Sequence, residues 1–132
     1  MSVKRRGPWI ALSSSAMFLA GPSVAADLGS DAVKALVGGK MWIAEQVADA
    51  RSHTSFEWKT DGTVCLRLSD TAGKCDDSGT WRIDGAQVCW KFTWWLKSFD
   101  MTTACVSVAE RDKGRYQAKV ASGNQFMVFS VK

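Results

Sequence analysis

From Met41 to Val131 apolar and polar residues alternate in short runs, and turn-forming residues interrupt the alternation roughly every eight to twelve positions. A period of two puts successive side chains on opposite faces of a strand, so this stretch cannot bury a stripe as a helix does. It predicts eight strands: Met41 to Val47, Thr54 to Lys59, Thr63 to Ser69, Gly79 to Ile83, Ala86 to Thr93, Thr102 to Glu110, Arg115 to Val120 and Gln125 to Val131. Asp61-Gly62 and Asp84-Gly85 suit the positive φ of tight hairpin turns, and Lys113-Gly114 and Ser122-Gly123-Asn124 mark two more. Short turns in succession give an antiparallel meander, which either stays a strongly curved sheet or closes into a small barrel without edges. The fold class is therefore mainly β.

One segment departs from this pattern. Between Asp27 and Gly39, Val33, Leu36 and Val37 recur at helical spacing, Ser30 can cap the start, and Gly38-Gly39 supply a stop. A single short N-terminal helix is expected, plugging or flanking one end of the sheet.

Alternation also assigns faces. Phe56 and Trp58, Val64 with Leu66 and Leu68, Trp81 and Ile83, Val88 with Trp90 and Phe92, and Ala104 with Val106 and Val108 point inward. The cysteines fall on the opposite, polar face. If Val88 lies opposite Val106, then Trp90 meets Ala104 and Cys89 lands directly opposite Cys105, within bridging distance of an antiparallel partner. Cys65 and Cys75 then remain for each other across the loop that contains Asp70.

Disulfides require an oxidising compartment, and the amino terminus supplies a route to one. Lys4, Arg5 and Arg6, an apolar stretch from Trp9 to Ala20, and small residues up to Ala26 form the pattern of a secretory signal peptide over residues 1–26. Its removal takes three of the 17 Lys and Arg and none of the 13 acids, lowering the net charge from +4 to +1. The remaining domain, 27–132, lacks the basic stripe of a nucleic-acid binder. It is long enough to bury one core. A periplasmic or secreted protein is expected.

Catalytic patterns are weak. His53 is the single histidine and has no glycine-framed serine or free cysteine beside it, which places it as a plain surface residue. Asp70, Asp76 and Asp77 cluster near one loop without the spacing of a calcium site, and adjacent strand residues point to opposite faces, so Asp76 and Asp77 make a poor acid pair. Loop solubility explains them. No metal or cofactor motif is present, and no enzyme is expected.

What is left is the run bracketed by Cys89 and Cys105. Trp94, Trp95, Leu96 and Phe99 fall where the hairpin must turn, flanked by Lys91 and Lys97. Alternation cannot bury both Trp94 and Trp95. These six residues form either a cap over the barrel mouth or an exposed surface for a ligand, a partner or a membrane interface.

Asp61-Gly62-Thr63, Gly79 to Gly85, Val88-Cys89-Trp90, Cys105-Val106 and the segment Leu36 to Trp42 together resemble an uncharacterised family of small exported alphaproteobacterial proteins, known as a domain of unknown function. The resemblance implies a small periplasmic β domain with a hairpin disulfide and brings no catalytic residues with it. The expected activity is that of a non-enzymatic binding module using the aromatic hairpin tip or the barrel mouth on an envelope ligand or protein. The alternative is a periplasmic or secreted hydrolase inhibitor.

Overall fold

The computed structural model describes residues 26–46, 54–68 and 73–132. The expected signal peptide up to position 25, His53 and Asp70 lie outside the described residues. Helix α1 (Ser30–Ala35) precedes eight strands: β1 (Lys40–Gln46), β2 (Ser55–Trp58), β3 (Thr63–Arg67), β4 (Asp77–Asp84), β5 (Gln87–Lys91), β6 (Thr103–Asp112), β7 (Arg115–Lys119) and β8 (Gln125–Val131). Each strand pairs antiparallel with the next, and β8 returns to β1, so the sheet closes into a barrel. Closure removes the two open edges that a curved sheet would leave.

The inward alternation fills the lumen with rings. Trp42 stacks on Phe129 at 3.9 Å between centroids, meets Trp58 edge-on at 4.9 Å, and Trp58 stacks in turn on Phe56 at 5.6 Å. Such offset and edge-on pairs suit the aromatic quadrupole and add to the benefit of burial. Helix α1 closes one mouth: Val33 and Val37 are buried in the same core, and the Trp42 indole N–H donates to the Leu36 carbonyl at 2.8 Å.

Two local expectations are corrected. Ser30 is the first helical residue and not the cap; Gly29 holds that position in an extended conformation, with no side-chain hydrogen bond at the helix start. A six-residue helix seated by Val33 and Val37 is held by packing, since so short a helix is marginal by itself. Asp84 stays in the ladder opposite Gln87, so the turn between β4 and β5 is Gly85-Ala86, with Gly85 at φ +63°. A glycine with positive φ at the first central position is the requirement of one of the two tight hairpin turns.

The register of β5 and β6 pairs Val88 with Val106, Cys89 with Cys105 and Trp90 with Ala104. Both expected disulfides form, Cys89–Cys105 and Cys65–Cys75. Their exposure differs from expectation: Cys65 and Cys89 lie on the outer side of the sheet by parity but are buried. Their partners Cys75 and Cys105 are half-buried, so each bridge has one shielded and one partly accessible sulfur.

Candidate functional site

The mouth opposite α1 is covered by the chain between β5 and β6, and its shape begins with a carboxylate. Asp77 pairs with Leu66, so its side chain shares the inward face of β4 with Trp81 and Ile83. It is 5% exposed. Four backbone N–H groups satisfy it: Ser78 donates to Oδ1 at 2.8 Å, Thr93 to Oδ2 at 3.1 Å, Trp94 to Oδ2 at 3.0 Å and Trp95 to Oδ2 at 2.9 Å. Burial opposes ionisation, but the N–H groups of Trp94, Trp95, Ser78 and Thr93 outweigh it and hold this carboxyl below its ordinary range. Asp77 is thus a buried anchor for the tip, which corrects its assignment to loop solubility.

Gly79 makes the approach possible. A Cβ there would stand 2.0 Å from the Lys91 carbonyl oxygen and 3.1 Å from the Phe92 Cα. The chain leaving β5 crosses β4 at this point and turns over the mouth, where a flat hairpin would have carried it away. Any side chain at 79 would push it off.

Beyond Thr93 the strand alternation lapses. Leu96 adopts a left-handed conformation with φ 61°, a single 3₁₀ turn follows at Lys97–Phe99, and Asp100 is left-handed as well. The left-handed residue is what allows two consecutive side chains, Trp95 and Leu96, to enter the core together, which extended backbone forbids. Trp95 is 2% exposed and lies edge-on to Phe56 at 5.1 Å and to Phe92 at 5.4 Å. Phe126 reaches the same cluster, 6.0 Å from Trp95, next to a register shift between β7 and β8 that re-aims the strand. The return path is fixed by Met101 N–H donating to the Leu96 carbonyl at 3.1 Å and by the Trp90 indole donating to the Met101 carbonyl at 3.1 Å.

The six candidate residues therefore separate. Trp95 and Leu96 cap the core. Trp94 is 47% exposed, the one large apolar side chain left so among the described residues, and Lys97 is exposed three positions on. Lys91 ends β5 at the root of the tip, opposite Thr103, and faces the outer wall. Phe99 closes the 3₁₀ turn, and the placement of its side chain lies outside what the structure describes.

Comparison with protein-family models, curated proteins and solved structures finds no match to this chain. Sequence reasoning missed Asp77 and Gly79. The parity of Trp81 and Ile83, extended two steps below Gly79, would have placed an aspartate on the inward face. Asp76, its neighbour, accepts the Leu68 N–H through Oδ2 at 2.7 Å and stays exposed, so the two carboxyl groups serve separate turns.

Proposed function

We propose that this chain is an exported, non-enzymatic binding module whose tip presents Trp94 to an envelope ligand or partner, with Lys97 beside it. The observation that carries the reading is the contrast between neighbours: Trp95 is buried, whereas Trp94, one residue earlier on backbone gripped by Asp77, is left in water. An exposed indole on a fixed backbone loses little entropy when it binds, which is how aromatic anchors come to dominate small interfaces. Two disulfides support export, because such bonds persist outside a reducing cytosol. The signal-peptide pattern of 1–26 and the resemblance to small exported β domains belong to the same proposal.

Tryptophan emission tests it. On titration with phosphatidylglycerol vesicles, peptidoglycan or wall glycans, one of these should shift the wild-type spectrum to the blue, and Trp94→Ala should remove the shift while retaining the folded spectrum. A wild-type protein silent to all three, or a shift that persists in Trp94→Ala, would count against the tip.

A hydrolase inhibitor is the second reading, favoured by the three backbone hydrogen bonds with which Asp77 holds the loop that projects Trp94. Saturable inhibition of a cell-wall hydrolase, lost in Trp94→Ala, would select it over an envelope-surface contact.

A further inference from the structure

The outer wall formed by β4, β5 and β6 contains a half-open hollow of about 380 Å³. Register explains it. Thr80, Lys91 and Thr103 face one another in one row across the three strands, and Arg82, Cys89 and Cys105 form the next. All six alternate outward, because Trp81, Trp90 and Ala104 between them point to the core. In the second row two neighbouring strands carry a flat disulfide in place of longer side chains, so the floor is low while Arg82 and Lys91 rise beside it.

The chemistry of this recess is one-sided. Lys91 and Arg82 are diagonal neighbours, which lie about 7–8 Å apart in such a sheet, so their long side chains can meet over a single group. Arg82 is held only loosely, its Nη2 being 3.8 Å from Asp84 Oδ2 between two exposed side chains. Lys91 forms no ion pair among the described residues. Thr80 and Thr103 add hydroxyls that donate or accept, and the disulfide supplies an apolar floor.

We propose that this hollow is a binding site for a sugar phosphate. The phosphate lies between Arg82 and Lys91, ring hydroxyls reach Thr80 and Thr103, and the apolar face of the ring rests on Cys89–Cys105. The volume falls within the range of about 300–1,000 Å³ usual for small-molecule sites, and the recessed floor favours a discrete soluble molecule over a lipid surface. Charge-assisted contacts to phosphate supply the strongest single interaction available here. The site lies on the side wall and does not rest on the tip: Trp94 is not part of it.

The test is an NMR titration of the disulfide-intact protein with glucose 6-phosphate. Saturable shifts should appear at Thr80, Arg82, Lys91 and Thr103, and Arg82→Gln and Lys91→Gln should each weaken binding by about tenfold, the size expected for one charge-assisted contact. Both side chains are exposed, so the variants should keep the wild-type melting temperature. Trp94→Ala should bind as wild type does, which separates failure here from failure of the tip. Neutral glucose should not compete. Absence of saturable shifts, or unchanged affinity in the two variants, would overturn the site. Equal affinity for inorganic phosphate would overturn the sugar, and a preference for phosphatidylglycerol vesicles would overturn the soluble ligand.

Discussion

A carboxylate aimed into a barrel is expensive to desolvate unless donors surround it, and Asp77 has its donors in three successive peptide groups of another segment plus that of Ser78. The bond that solvates the charge is therefore the bond that seats the tip. In Asp77→Asn an amide NH₂ would face peptide N–H groups, leaving at least one buried donor without an acceptor. We expect a loss of about 2–3 kcal/mol in denaturant unfolding. The pH dependence has a definite sign. Since the folded carboxyl titrates below its ordinary value, its contribution is present above about pH 4, where the unfolded chain is already ionised, and is lost as pH falls through the lower folded value. Glu45, lowered chiefly by its hydrogen bond to Arg115, and Asp61, lowered chiefly by its hydrogen bond to Thr63, act in the same direction and are common to both proteins. The unfolding curves of wild type and Asp77→Asn, well separated at pH 7, should therefore draw together at pH 3, the variant losing less stability on acidification than wild type. Parallel losses would mean that the carboxylate charge does not hold the tip.

At the scale of the element, the hairpin from β5 to β6 is two structures in one. Its ladder was legible in the sequence because period-two parity needs only one correct pairing: with Val88 opposite Val106, the disulfide and the inward positions of Trp90 and Ala104 follow. The tip was not legible, because between Thr93 and Thr102 the backbone leaves the extended region, with Leu96 and Asp100 left-handed, and no strand parity applies. The backbone that carries both indoles is held by a residue on another strand, Asp77. Two substitutions separate these layers. Trp95→Ala should cost about 3–5 kcal/mol by leaving a cavity among Phe56, Phe92 and Phe126. Trp94→Ala should cost less than about 0.5 kcal/mol, as expected for a surface position. Acrylamide quenching should fall sharply in Trp94→Ala. Gly79→Ala, whose new methyl would meet the Lys91 carbonyl, should unseat the tip, so that destabilisation comes together with increased quenching of the remaining tryptophans. Increased quenching without destabilisation would show that the tip lifts freely and is no cap.

For the whole molecule, the question is how much of the stability of a closed barrel belongs to its core and how much to its two bridges. The described interior is continuous from Val33 and Val37 of α1, through Trp42, Trp58 and Phe56, to Trp95 under the tip, so each mouth is closed by side chains of the same cluster. The bridges are short-range by comparison, joining residues 10 and 16 positions apart. In the chain-entropy account each is worth about 3 kcal/mol, against a total of about 5–15 kcal/mol for a domain of ordinary stability. They share no partner residues, so their removal should be close to additive. Replacing Cys65 and Cys75 by serine, or Cys89 and Cys105 by serine, should lower the unfolding free energy by about 2–4 kcal/mol in each case, and the quadruple variant by about the sum. The second pair carries a further consequence. Cys89–Cys105 ties the strands just below the tip, so its loss should loosen the mouth and make Trp94 and Trp95 more alike in quenching. Loss of Cys65–Cys75 should leave that contrast intact. Guanidinium unfolding with and without reductant decides the matter. A midpoint unmoved by reduction would show a core sufficient by itself, and the disulfides would then give no reason to place this barrel in an oxidising compartment.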